Sequence, residues 1–190
     1  MNEAENKTWT ILMADDNRHV NNVVKETLSE YGFNVIQAFD GRQAYRAFEE
    51  ARPDLIFLDY LMPEIDGLDV LRMIKQKDPN SFVVFITGEG SEDIAVQAMK
   101  AGASDYISKP LSPPDLVHVA NKLIREREIL LENIRLKSRG DAYKDYLVTI
   151  TETMGEAVIT IDSKGTIQFM NSMARKFWGE LDEMKNKPVD

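Results

Sequence analysis

The sequence contains no cysteine and only two histidines. A disulfide framework and a thiolate metal site are both excluded, so a metal would have to be held by oxygen. Long hydrophobic runs are also missing. The longest, residues 55–58 and 82–86, are strand-sized and far short of the ~18–20 residues that cross a bilayer. The first seven residues are polar and acidic, unlike the basic and then apolar start of a secretory signal. Positive charge is scarce: 23 Lys and Arg face 32 Asp and Glu, for a formal net charge of −9. No whole-chain attraction to nucleic acid follows from that balance. The most basic stretch, residues 122–139, alternates its charges and reads as a solvated helix face. No glycine-rich nucleotide loop is present. Neither His19 nor His118 has the acidic neighbour and downstream proline of a kinase phosphohistidine motif. Lack of cysteine suits a reducing cytoplasm. The expectation is a cytoplasmic chain with no nucleic-acid partner and no membrane segment.

What is present is an alternation of short apolar runs with helical stripes over the first 125 residues. Residues 10–14, 35–39, 55–58, 82–86 and 105–108 read as strands. Three of them are almost wholly apolar, which suits parallel strands covered on both faces. Between them, Val20, Val23, Val24, Thr27, Leu28 and Tyr31 share a helix face, as do Ala44, Ala47, Phe48 and Ala51, and Val70, Leu71 and Ile74. Asn17, Asp40 and Ser91 are candidate N-caps, and Gly32 and Gly102 sit where helix C-termini favour a left-handed residue. The pattern implies an α/β fold with a parallel sheet and right-handed crossovers.

After Pro113-Pro114 a final helical stripe, Leu116, Ala120, Leu123, Arg127, Leu130 and Ile134, outlasts the domain beneath it. It is expected to pack against a second copy as a coiled coil, with Arg127 weakening the seam and helping to set its register; the alternative is a helix that folds back on its own domain. Gly140 is expected to interrupt the helix. A second helical stretch through Tyr143, Tyr146, Leu147, Ile150 and Met154 follows. Residues 157–162 and 166–171 alternate like strands around Ser163-Lys164-Gly165, a hairpin signal, before helix-forming residues resume.

The chemistry sits at strand ends. Asp15 and Asp16 follow the first strand, Asp59 ends the third, Thr87 the fourth and Lys109 the fifth. In an open parallel sheet those ends form one edge, where ligands bind. Three carboxylates crowded together require a divalent cation, and oxygen-only ligation favours Mg²⁺ or Mn²⁺ over zinc. Asp59 is then placed to attack phosphorus, with Lys109 absorbing charge on the equatorial oxygens and the Thr87 hydroxyl donating to one of them.

Asp15-Asp16, Asp59 with Met62-Pro63 and Gly67, Thr87-Gly88 and Lys109-Pro110 together make residues 9–125 resemble the response-regulator receiver domain of two-component signalling. The resemblance implies a flavodoxin-like, doubly wound five-stranded sheet of order 2-1-3-4-5, an order for which a chemotaxis receiver is a standing example. It implies Asp59 as phosphoacceptor and a histidine kinase or phosphotransfer protein as donor. It further implies that Asp16 ligates the ion directly and Asp15 largely through water, with Asp59 and the backbone carbonyl of Leu61 completing the protein ligands. A cis peptide before Pro110 would fix the reach of Lys109. Thr87 and Tyr106 would act as the switch, and the side chains of Leu61 and Glu89 would tune hydrolysis. Catalysis is then limited to self-phosphorylation and autodephosphorylation, any enzymatic output lying outside this chain.

Residues 157–171, with Ala174 and Phe177-Trp178-Gly179, resemble the first part of a PAS sensor domain. A complete domain needs further strands, so the segment is expected to be a partial PAS-like α+β unit continued elsewhere. The expected organisation is a receiver at 1–125, an extended helix or coiled-coil linker at 113–142 that makes a homodimer, and the PAS-like segment at 143–190.

Overall fold

A computed structural model describes residues 8–88 and 92–178 of the chain. The chain divides into two compact units, Met1–Leu130 and Leu131–Asp190.

In the first unit, β1 (Thr10–Ala14), β2 (Asn34–Ala38), β3 (Leu55–Asp59), β4 (Val83–Thr87) and β5 (Asp105–Ser108) alternate with α1 (Arg18–Glu30), α2 (Gly41–Ala51), α3 (Gly67–Lys77), α4 (Glu92–Lys100) and the start of α5 (Pro113–Thr153), whose later residues belong to the second unit. All strand pairs are parallel, in the order β2-β1-β3-β4-β5. The residues of β3 and β4 are buried throughout because successive side chains feed opposite faces of the sheet. Leu12, Ile56, Leu58 and Phe85 join Phe48, Leu71 and Ile74 on the α2–α3 side. Ile11, Leu55, Phe57, Val84 and Ile86 join Val24, Leu28, Leu116 and Leu123 on the α1–α5 side, where Trp9 also packs. Both faces are therefore dry, which is why these strands read as unbroken apolar runs.

Helix ends follow local chemistry. Asn17 Oδ1 accepts from His19 N and Val20 N, and Asp40 Oδ1 from Gln43 N. Asp66 caps α3 in the same way, through Asp69 N. Gly32 and Gly102 take positive φ, +86° and +98°, at the expected chain reversals. The Ser91 cap lies outside the described residues.

Three expectations need correction. The buried face of α1 runs through Asn21, Val24 and Leu28, not through Val23 and Tyr31, which are 37% and 62% exposed. A single sheet face receives the helix, so the dry stripe is narrower than the apolar residues alone imply. Second, α5 passes through Gly140 without a break. Glycine keeps its N–H and costs only about 1 kcal/mol against alanine, which neighbouring helix formers absorb. Third, Arg127 is docked on its own unit: its Nε lies 3.1 Å from Asp54 Oδ1, and Asp54 Oδ2 accepts from Thr10 N at 3.0 Å. The early part of the α5 stripe, Leu116, Ala120 and Leu123, is likewise buried against the sheet.

The second unit contains β6 (Ile159–Ile161) and β7 (Ile167–Met170), an antiparallel pair, then α6 (Ser172–Trp178). Asp162 Oδ1 accepts from Lys164 N and Thr166 N, and Gly165 has φ +81°, which closes the turn. Asn171 is fully buried and fully bonded. Its Oδ1 accepts from Val158 N and Ala174 N, and its Nδ2 donates to Thr151 O and Glu156 O. Glu152 accepts from Ser172 N and pairs with Arg175 at 2.7 Å, so the last turn of α5 is tied to the start of α6. Among the described residues no helix is long and apolar enough to cross a membrane.

Candidate functional site

The C-terminal ends of the parallel strands share one edge, and the ladder continues just past them. Asp15 N donates to Ala38 O at 3.2 Å, Tyr60 N to Ile86 O at 3.0 Å, and Lys109 N to Thr87 O at 2.7 Å. The chain is thus still held by the sheet where each polar side chain emerges. Asp15, Asp59 and Thr87 are 0%, 4% and 2% exposed. The peptide between Lys109 and Pro110 is cis, as expected.

Oxygen atoms from Asp15, Asp16 and Asp59 all lie within 4.8 Å of one another. Lys109 Nζ stands 2.9 Å from Asp15 Oδ2 and 2.9 Å from Asp59 Oδ1. Asn17 N donates to Asp15 Oδ1 at 2.8 Å. Asp15 Oδ2 is sealed from solvent and meets Lys109 as an ion pair without the direction of a hydrogen bond. Burial foremost pushes the Asp59 carboxyl up to about 6 from 3.8; the nearby Asp15 charge adds to this, while Lys109 and the Tyr60 N–H oppose it. Burial works against the charge on Lys109, yet the Asp15 and Asp59 carboxylates beside it hold it above the usual lysine range. One ammonium against three carboxylates leaves an excess of negative charge in an all-oxygen donor set. These residues fit a hard divalent cation such as Mg²⁺.

Asp59 has a definite signature in metal-free protein. Its carboxyl ¹³C resonance will titrate with a midpoint near pH 6, and added Mg²⁺ will lower that midpoint. Because the folded value exceeds the unfolded one, this group favours folding fully below pH 3.8. That contribution is lost as pH rises through about 6. A midpoint at or below 4 in metal-free protein would contradict the assignment.

The segment from Tyr60 to Asp66 is pinned by two glycines. Gly67 N donates to Tyr60 O at 2.8 Å, and Gly41 N to Pro63 O at 3.2 Å. A Cβ on Gly67 would lie 2.0 Å from Asp59 O, and one on Gly41 would lie 2.0 Å from Ile65 O. Glu64 takes φ +70° within this turn.

The structure therefore brings together Asp15, Asp16, Asp59 and Lys109, with Thr87 ending β4 beside β5. The Leu61 side chain is 70% exposed, and Tyr106 on β5 is 50% exposed. Glu89 lies outside the described residues. Asn21 went unnoticed in the sequence: its Nδ2 donates to Asp15 O at 3.0 Å and to Ala38 O at 2.8 Å. The signal available was an asparagine three and seven residues before Val24 and Leu28, on the dry face of a helix. Gly41 was missed too, because close backbone approach leaves no mark in composition.

Comparison with known proteins agrees with this geometry. The family description "Response regulator receiver domain" matches residues 11–121. The chain is 32% identical over 114 residues to the chemotaxis protein CheY of Thermotoga maritima, covering 60% of this chain and 95% of that protein. It is 33% identical over 159 residues to a putative NtrX-like response regulator of Rickettsia conorii, covering 83% of this chain and 32% of that protein. The crystal structure of NtrX from Brucella abortus superposes with a TM-score of 0.65 at 33% identity, over 68% of this chain and 30% of that one. The chain thus spans about a third of the length of its NtrX-like relatives. It belongs to the receiver domains of two-component response regulators, a family whose general function is to be phosphorylated by a histidine kinase.

Proposed function

We propose that Asp59 is the phosphoacceptor of this receiver, served by Lys109 and Thr87 and dependent on Mg²⁺ or Mn²⁺ held by Asp15, Asp16, Asp59 and the Leu61 carbonyl. The observation that carries this reading is Lys109 Nζ at 2.9 Å from both Asp15 and Asp59 inside a three-carboxylate cluster. When bound, the cation supplies charge neutralisation to the cluster and to phosphate oxygens. Asp59 attacks in its ionised form. A bond forms from its carboxylate oxygen to phosphorus as the bond to the donor breaks, and the donor departs with the electron pair. Lys109 keeps the cluster from full repulsion and faces the new phosphoryl oxygens. The Thr87 hydroxyl donates to one of those oxygens, and Tyr106 moves into the space Thr87 leaves. Pro110 holds the turn that carries Lys109, while Leu61 and Glu89 set access for water and donor.

The donor is a histidine kinase or phosphotransfer protein. The state of Asp59 passes through the β5–α5 surface into the long helix and from there to a PAS-like segment and an output outside this chain. The hairpin and helix of residues 159–178 support the PAS-like reading, which retains the parts 1–125, 113–142 and 143–190, although the second boundary falls inside α5. The chain itself performs only self-phosphorylation and autodephosphorylation. Incubation with acetyl phosphate and Mg²⁺ will add about 80 Da, one phosphoryl group in a covalent intermediate. The same incubation with a chelator will add nothing. Equal adduct in both arms would remove the ion from the reading.

A second reading is favoured by one observation on α5. Ile129, Leu136 and Tyr143 are 60%, 55% and 64% exposed, and with Ile150 they recur every seven residues. That spacing suits a coiled-coil seam with a second copy, so the helix would dimerise the chain whatever the state of Asp59. Sedimentation with and without beryllofluoride separates the two. Phosphorylation-coupled signalling predicts that the association or the linker hydrogen exchange changes, whereas a constitutive dimer shows no change in either.

A further inference from the structure

Asn21 is completely buried on α1, yet its position calls for an apolar side chain, since Val24 and Leu28 complete the same dry face. Its Nδ2 donates both hydrogens to main-chain carbonyls, Asp15 O and Ala38 O, which fixes the orientation of the amide. Pairing of β1 with β2 ends at Ala14 and Ala38. Just there the first strand must leave the sheet to present Asp15 and Asp16. A carbonyl at such a departure has lost its next ladder partner. Asn21 supplies that partner from the helix. The Asp15 residue is consequently gripped at its N–H by Ala38 O, at its C=O by Asn21, and at its carboxylate by Asn17 N.

The other end of the amide tells against a packing role. Asn21 Oδ1 is buried without a hydrogen-bond partner, a penalty that an alanine or leucine at this position would avoid. What an apolar side chain would not do is hold the Asp15 carbonyl. Asp16 is the next residue, so the peptide Asn21 holds is the one that joins the two carboxylates.

We infer that Asn21 is a positioning residue for the ion site: it fixes the Asp15–Asp16 peptide and so sets the placement of two of the three carboxylates. The inference rests on reading the acidic cluster as that site. Outer partners of metal ligands change affinity without touching the ion, commonly by about 10- to 100-fold. Asn21 stands in that relation to Asp15, through the main chain.

The test uses the whole chain and Mg²⁺ alone, titrated by calorimetry, alongside the Mg²⁺ concentration that gives half-maximal adduct from acetyl phosphate. Asn21→Ala should weaken Mg²⁺ binding by about tenfold or more, while saturating Mg²⁺ still yields full adduct. Asn21→Ser, which keeps one hydroxyl donor, should fall between that variant and wild type, and it stands in if Asn21→Ala does not fold. Leu28→Ala opens a cavity on the same helix face and should leave Mg²⁺ affinity unchanged. Wild-type affinity in the position 21 variants overturns the inference alone, as does an equal loss in Leu28→Ala. A wild-type chain that binds no Mg²⁺ overturns the ion-site reading, and this inference with it.

Discussion

Asp59→Asn will accept no phosphoryl group and, in metal-free buffer at pH 7 to 8, will unfold at a higher temperature than wild type. Loss of the adduct follows from the chemistry of the group. An amide has the shape of a carboxylate but no anionic oxygen to attack phosphorus, and no neighbouring residue in the cluster occupies the same strand end. The gain in stability follows from the surroundings. Burial pushes the Asp59 carboxyl to about 6, so at neutral pH the native fold contains an ionised group that would be more stable in the unfolded chain. A neutral isostere removes that cost, about 1–3 kcal/mol on the scale of such a shift. It also removes the repulsion with Asp15, while Lys109 keeps its contact to Asp15. Mg²⁺ will stabilise wild type more than the variant, because the variant's acidic cluster carries one negative charge fewer. Mass spectrometry and thermal melts with and without Mg²⁺ check both halves. An adduct persisting in the variant would move the phosphoacceptor elsewhere, and a lower melting temperature would deny that the cluster is strained.

Gly67→Ala is expected to be strongly damaging, because its added methyl would run into main chain, as one on Gly41 also would. The added Cβ would lie 2.0 Å from Asp59 O, 2.9 Å from Asp59 C and 3.1 Å from Tyr60 Cα. All three are main-chain atoms of the segment that presents Asp59, so no side chain can swing aside. The φ of Gly67 is not in the left-handed region, which makes the clash steric and not conformational. Either α3 retreats or the end of β3 shifts. Overpacking of this kind costs about 3 kcal/mol or more where the neighbours are rigid. A displacement of Asp59 by about 1 Å slows phosphorylation on the order of 100-fold. Gly140→Ala is the matched comparison, since nothing lies within 4 Å of its added methyl. Denaturation midpoints and initial adduct rates measure both effects; wild-type values in Gly67→Ala would mean that the segment from Tyr60 to Asp66 is far more compliant than its hydrogen bonds imply.

The site was legible because each of its residues stands at or just beyond the end of an apolar run. In a parallel sheet that placement alone sends the side chain to a common edge, so local pattern carries long-range information. Strand limits were off by a residue in β2, β3 and β4, where Asn34, Asp59 and Thr87 lie inside the ladder despite their polarity. Other features depend on contacts that no local pattern encodes. Arg127 reads as a flaw in an apolar stripe until Asp54, far earlier in the chain, is placed beside it. Asn21 reads as an interruption of a helix face until the Asp15 carbonyl just past β1 and the Ala38 carbonyl at the end of β2 are brought to its amide. Gly140 misled in the opposite sense: its propensity argues for a break, but one weak position does not stop a helix whose neighbours favour it.

The division into two units has a practical corollary. The chain has two tryptophans, and each unit holds one: Trp9 packs against the core beneath the sheet, and Trp178 ends α6 at 52% exposure. Intrinsic emission is therefore a sum of one sheltered and one half-wetted fluorophore. Trp178→Phe leaves a light source confined to the receiver, and Trp9→Phe leaves one confined to the hairpin unit. Pairs of such variants let melting of the phosphoacceptor half be followed in the intact chain, separately from whatever its long helix is attached to.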